Sequence, residues 1–167
     1  MTPRKLEVIA LDDFPFISPG DDLASIILER SHTAGLHDGD ILVIAQKIVS
    51  KAENRYRNLN DINPSTEAIE LAAETEKDPS LVELILQESV EIVRHRPSVI
   101  IARHRLGYVL ANAGIDASNV GRTREHVLLL PEDPNKTCQE LLQVFSDSCN
   151  ARLGVIINDS LGRAWRR

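Results

Sequence analysis

Cysteine is scarce in this chain, with two among 167 residues. Cys138 and Cys149 fall in one predicted helix, roughly 16 Å apart along its axis, too far to bridge. No His or third Cys stands near them at metal-ligand spacing, so they read as reduced thiols. No apolar run approaches the length of a bilayer span. The first residues, Met1-Thr2-Pro3-Arg4-Lys5-Leu6-Glu7, lack the apolar core of a signal peptide, and the cytoplasm is the expected compartment. A surplus of positive charge is missing as well. A formal net charge of -6 gives the surface as a whole no attraction for nucleic acid or anionic lipid. Basic residues do gather locally, at Arg94, His95, Arg96, Arg103, His104 and Arg105 and again at Arg163, Arg166 and Arg167.

Signature motifs are absent too. There is no Gly-x-x-x-x-Gly-Lys-Ser/Thr, no Gly-x-Gly-x-x-Gly, no His-Glu-x-x-His, no Cys-x-x-Cys and no Gly-x-Ser-x-Gly. A P-loop and a standard dinucleotide fold are thereby excluded. Internal repeats, low-complexity tracts and linkers are lacking. Hydrophobic residues at 43% and charged residues at 26% are ordinary for a soluble globular chain. The length suffices for one substantial core, so a single domain over residues 1–167 is expected.

What is present is an alternation of apolar runs and amphipathic stripes. Leu6 to Leu11 reads as a first strand, ending in Asp12-Asp13-Phe14-Pro15. Asp21 or Asp22 can cap a helix carrying Leu23, Ile26 and Ile27. Ile41 to Ala45 is a continuous apolar run and reads as a strand buried on both faces. Pro64-Ser65 opens the next helix. Asp78-Pro79 opens another, whose stripe of Leu81, Leu84, Ile85 and Val90 predicts a helix to about Ile92. Ser98–Arg103 and Tyr108–Ala111 read as a hairpin with His104 and Arg105 near its tip, and His95 and His104 are expected to be exposed. A short strand over Val127–Leu130, a helix from about Lys136 to Cys149 and a buried strand over Leu153–Ile157 complete the pattern. The expected class is mixed α/β: a buried mixed sheet, flanking helices, and polar loops at the strand ends forming the site.

Three strand ends carry polar chemistry. One is Asn112-Ala113-Gly114-Ile115-Asp116-Ala117-Ser118-Asn119-Val120, another Asn158-Asp159-Ser160, and the third Gln46-Lys47-Ile48-Val49-Ser50-Lys51. If they converge, they supply two carboxylates, a hydroxyl, amides and lysines, a combination suited to a nucleoside triphosphate with a hard divalent cation. The competing reading is three polar turns whose side chains hydrogen-bond each other, with two solvated lysines.

Further segments extend the pattern: Gly20-Asp21-Asp22-Leu23, Asp38-Gly39-Asp40-Ile41-Leu42-Val43, Lys51-Ala52-Glu53, Leu129-Leu130-Pro131-Glu132-Asp133-Pro134, and Gly154 through Arg166. Together with the three polar strand ends, in this order and spacing, the chain resembles the coenzyme F-420-0:γ-glutamyl ligases. The resemblance implies an unusual mixed α/β fold, a homodimer, and a GTP-dependent amide ligase. Such an enzyme adds L-glutamate to a deazaflavin coenzyme precursor through an acyl phosphate, with Mn²⁺ or Mg²⁺ and with K⁺ as a further ion. It makes Asp116, Asp159 and Ser160 metal ligands, and gives Asp116, Asp159 and Lys51 the catalytic roles. Nucleotide contacts fall to Asp12, Asp13, Phe14, Pro15, Gln46, Lys47, Lys51 and Asn119. Asp13 and Asn54 stand where family members often carry Gly. Family members continue well past the Gly-Arg-x-Trp-Arg segment, so the resemblance implies a form shortened at the C-terminus, weak in nucleotide binding and catalytically incomplete. The alternatives are a non-catalytic GTP/GDP-binding module and a structural dimerisation domain.

Overall fold

The computed structural model describes residues 5–117 and 125–159. Its strands fall into three small sheets with five α-helices among the described residues. Strand β1 (Ile41–Ala45) runs parallel to β7 (Gly154–Asn158), with Ile41 opposite Gly154 and Ala45 opposite Asn158. A parallel pair needs a crossover, and here the chain from Gln46 to Leu153 serves as one. Helices α1 (Leu23–Ser31), α2 (Gln46–Ala52) and α5 (Pro134–Cys149) supply most of the remaining side chains of the first core: Leu23, Ile27, Val49, Leu141 and Phe145, gathered with Ile44 of β1.

A second core lies under another sheet. Strands β3 (Ser89–Arg96), β4 (Val99–His104) and β5 (Val109–Ala111) form an antiparallel meander. Helices α3 (Thr66–Thr75) and α4 (Pro79–Gln87) bury Ala68, Ala72, Val82 and Ile85 against Ile100 and Ala102 of β4. Strand β2 (Tyr56–Asn58) pairs antiparallel with β6 (His126–Leu128), whose Val127 enters the same core.

The helix starts are set by local chemistry. Asp22, Ser65, Asp78 and Asp133 each accept a backbone N–H from two or three residues ahead, satisfying a donor that the first turn leaves unpaired. Pro79 and Pro134 occupy first-turn positions, where no N–H is required.

The mixed α/β class read from the sequence holds, and four local expectations need correction. Residues 6–11 form no strand: Leu6 and Val8 are 89% and 87% exposed and pair with no neighbour among the described residues, and a lone strand is not stable in water. The helix expected to reach Ile92 stops at Gln87. Val90, Ile92 and Val93 are β-branched and continue as β3, which pairs with β4. Strand β1 is buried on one face only, because Ile41 and Val43 remain exposed while Ile44 packs inward. The lysine-bearing segment after β1 is the helix α2, not a loop. Cys138 and Cys149 are unbridged, as their spacing requires.

Candidate active site at the seam of two cores

Parallel pairing aligns the carboxyl ends of β1 and β7. Because Ala45 faces Asn158, Asp159 comes level with Gln46, the first residue of α2. One residue on, Lys47 extends its ammonium to the Asp116 carboxylate and pairs with it. Asp116 itself is fixed by two backbone hydrogen bonds with Leu128, each 2.9 Å, which add a separate antiparallel bridge to a β6 residue already paired with Tyr56 of β2. Lys47 thus joins the β1–β7 end of one core to the edge of the other. Lys51 follows one helical turn after Lys47 on the same face of α2. Gln46 is buried and donates to the Ser50 hydroxyl at 2.6 Å.

The loop before Asp116 is wound the uncommon way. Asn112, Ala113 and Gly114 have φ of 51°, 52° and 74° in succession. Left-handed backbone costs a non-glycine residue roughly 1–2 kcal/mol, and Ala113 is fully buried in that state. Gly114 is required for a second reason. A Cβ there would meet Leu130 Cδ1 at 2.9 Å and Leu110 Cδ1 at 3.0 Å. Gly114→Ala is therefore expected to destabilise the protein by about 2–4 kcal/mol, strain and overpacking together. Urea unfolding checks this, and an unchanged midpoint would contradict the close approach.

The nucleotide loop expected at Asp12, Asp13, Phe14 and Pro15 is mostly exposed, with Phe14 turned onto the first core. Its continuation is tied to the end of α2 through Gly20 N–H donating to the Ala52 carbonyl at 2.9 Å. Asp13 and Asn54 have φ of 53° and 55°. Both positions at which the resemblance anticipates Gly thus take the left-handed conformation, and Asp and Asn are the side chains that tolerate it best. Asn119 and Ser160 lie outside the described residues.

Between the cores, beside Asp159, opens a cleft of about 240 Å³. One wall comes from Leu106, Tyr108, Leu110, Leu130 and Pro131. The other comes from Gln46, Pro134 and Ile157, with Asn158 and Asp159 at the strand end. The cleft is apolar along most of its length and polar at the end shared with Gln46 and Asp159.

A buried charge network braces the first wall. The Arg55 guanidinium donates to both oxygens of Glu88 at 3.0 and 2.9 Å and to the Leu130 carbonyl at 2.8 Å, and reaches Glu132 at 2.5 Å. Arg105 approaches Glu88 at 3.4 Å and Glu132 at 3.1 Å. Burial raises the Glu88 carboxyl, but the His104 hydrogen bond and the Arg55 and Arg105 charges outweigh it and hold the group down at about 2. His104, expected at an exposed hairpin tip, is completely buried. Its Nδ1 accepts the Leu106 N–H at 3.0 Å, so its proton sits on Nε2, which faces Glu88 at 3.2 Å. Sequence reasoning missed this network and the apolar cleft wall. Arg55 and Leu130 stand 75 residues apart, and no local pattern announces such a contact. His95, by contrast, is exposed as expected, near Glu74.

Among the described residues no three His, Cys, Asp or Glu side chains gather as a metal cage. The Asn112 amide oxygen is buried without a hydrogen-bond partner, four residues before Asp116. Carboxylate and amide oxygens fit a hard ion such as Mg²⁺ or Mn²⁺, which characteristically takes one or two carboxylates and completes its shell from water and substrate phosphate.

Fold and site together define a mixed α/β protein whose parallel strands end beside a mostly apolar cleft, with a Lys47–Asp116 ion pair near that end. Comparison with known proteins makes this specific. The chain belongs to the F420-0:gamma-glutamyl ligase family, whose model matches residues 13–167. It is 43% identical over 163 residues to the coenzyme F420:L-glutamate ligase of Methanothermobacter thermautotrophicus, covering 96% of this chain and 64% of that protein. Against the enzyme of the same name from Methanopyrus kandleri, identity is 45% over 150 residues, 90% of this chain and 58% of the relative. The Archaeoglobus fulgidus enzyme of that name is 40% identical, with 98% and 63% covered. The chain thus spans about three fifths of the length of these relatives. No helix among the described residues is long and apolar enough to cross a membrane.

Proposed function

We infer that this chain carries the carboxylate-activating centre of a GTP-dependent amide ligase, which joins L-glutamate to a deazaflavin coenzyme precursor. Family membership and the names of the relatives support the glutamate ligation. The observation that carries the site is the Lys47–Asp116 pair at the strand end that also bears Asp159. In the first step a carboxylate oxygen of the precursor attacks the γ-phosphorus of GTP. A P–O bond forms, the bond to the β-phosphate oxygen breaks, and GDP leaves. In the second, the glutamate amine attacks the acyl carbon, the C–N bond forms, and phosphate departs with its bonding pair while the amine gives up a proton. Both steps move negative charge on phosphoryl oxygens, and Lys47 and Lys51, on one face of α2, are positioned to balance it. No protein nucleophile is needed. Asp116, Asp159 and the Asn112 amide oxygen would hold Mg²⁺ or Mn²⁺, whose chemistry when bound is to neutralise and align phosphate oxygens. The reading includes a homodimer, for which the open apolar face of Ile41, Val43 and Ile156 is the candidate contact.

Thermal unfolding with GTP, with and without Mn²⁺, tests this. A ligand at a hundredfold excess over its Kd stabilises by about 2.7 kcal/mol, so a clear Mn²⁺-dependent rise in Tm is expected. Its absence under every nucleotide and metal condition would sink the reading.

A further inference from the structure

We propose that Arg55, locked by Glu88, is a positioning residue: it holds the strand to which Asp116 is bridged at a fixed distance from the lysines of α2. It touches no reactant. The inference rests on the ligase reading for what Asp116 does, and adds the part of the chain that sets where Asp116 stands.

Arg55 lies between the two elements that meet in the Lys47–Asp116 pair. On one side its N–H donates to the Ser50 carbonyl at 2.9 Å, which ties it to α2 between Lys47 and Lys51. On the other its carbonyl accepts the Leu129 N–H at 3.1 Å, and its side-chain Nε donates to the Leu130 carbonyl at 2.8 Å. Backbone and side chain thus grip two successive residues directly after β6. The residue before them, Leu128, makes both bridge hydrogen bonds to Asp116. A path of hydrogen bonds from α2 to Asp116 therefore runs through Arg55. The ion pair is a weak tether by comparison. The Lys47 side chain is 51% exposed, and a pair so open to water contributes little.

Glu88 fixes Arg55 in turn. It caps the C-terminus of α4 and receives two hydrogen bonds from the guanidinium, at 3.0 and 2.9 Å. A planar fork bound to both carboxylate oxygens loses its freedom to rotate, which aims Nε at the Leu130 carbonyl. His104 Nε2 at 3.2 Å and Arg105 at 3.4 Å hold the carboxylate from other directions. Glu132 adds a parallel tie: its carboxylate meets Arg55, and its N–H donates to Glu53 at the end of α2 at 2.8 Å. Bulk support of the core does not call for this wiring. Arg55 is buried, and a well-packed apolar side chain would brace the interior as well or better. A fork of donors is needed to hold a carbonyl and a carboxylate at once.

The test uses Arg55→Lys, which keeps the charge but offers one nitrogen in place of the three now engaged. Ala72→Gly in α3 is the control for general destabilisation. Amide hydrogen exchange without metal or nucleotide reads the attachment itself. Titration with Mn²⁺ and GDP, followed by electron paramagnetic resonance of free Mn²⁺, reads its consequence. In Arg55→Lys the Asp116, Leu128 and Leu129 amides should exchange roughly tenfold faster relative to those of β4, a local opening. Mn²⁺–GDP should bind roughly tenfold more weakly, the scale of losing an outer partner of a metal ligand. Ala72→Gly should lower Tm and leave both quantities as in the unmodified protein. Glu88→Gln, with one of two acceptors kept, should give the same pattern at smaller amplitude, and it carries the test if Arg55→Lys does not fold. Equal acceleration at Asp116 and in β4 makes Arg55 a stabilising residue only, which overturns the inference and leaves the ligase reading intact. Selective acceleration with unchanged Mn²⁺–GDP affinity overturns it as well. If the unmodified protein binds no Mn²⁺–GDP, the ligase reading fails, whatever the exchange rates, and the inference falls with it.

Discussion

Glu88→Ala is expected to destabilise the protein by about 3–5 kcal/mol, the cost of removing one partner from a buried charge pair. Arg55 shows why. Its side chain is only 9% exposed and sends two donors to Glu88. Without that carboxylate the guanidinium stays buried, with Glu132, 65% exposed, as its remaining counter-charge. His104 Nε2 loses its acceptor at the same time. Chemical denaturation of Glu88→Ala and Glu88→Gln measures the effect, and Gln should recover part of it by keeping an oxygen for Arg55. A loss under about 1 kcal/mol would show that the network closes without its central carboxylate.

The same group sets an acid limit. Its folded value is about 2, below its ordinary 4.5, so the native state holds the ionised form and the unfolded chain takes up the proton first. The contribution is complete above about pH 4.5 and disappears as pH falls toward 2. It amounts to about 2–3 kcal/mol after allowance for screening. Unfolding free energy followed from pH 5 to pH 2 should therefore fall more steeply in the unmodified protein than in Glu88→Gln.

On the proposed ligase reading, Asp116→Asn should cut ligation roughly 10²–10³-fold, the scale seen when one preorganised electrostatic group is lost from a transition state. Mn²⁺-dependent GTP binding should weaken with it. The fold should barely respond. Asp116 is held by backbone bonds to Leu128 that Asn also makes, and its partner Lys47 is half exposed, so the lost pair is worth about 1 kcal/mol or less. Activity falling without a matching change in unfolding midpoint is the signature of a functional carboxylate. Equal activity in the Asn variant would return this loop to a purely structural role.

What the sequence disclosed was what acts over short range. Asp22, Ser65, Asp78 and Asp133 were legible as caps because each satisfies a donor within the next turn. The polar strand ends were legible because turn chemistry is local, and Lys47 with Asp116 came together as two of those ends. Where position depends on a distant partner the pattern misled. Val90 extended an apolar stripe from α4, yet β4 claims that segment through a ladder with two register shifts. His104 sat among Arg103 and Arg105, which suggested solvent, whereas Glu88, sixteen residues back, draws it fully inside. The two cores and the cleft between them were invisible for the same reason.

The seam itself has a mechanical consequence. Each hydrophobic cluster is closed on its own set of helices and strands, so small rotations of one against the other spare both interiors. Polar clasps cross the seam, Lys47 with Asp116 and Glu53 with the Glu132 amide. Directional bonds of this kind hold the seam at one set of distances. A reactant reaching across that joint would act as a wedge or a rivet according to its thickness, converting fit into closure.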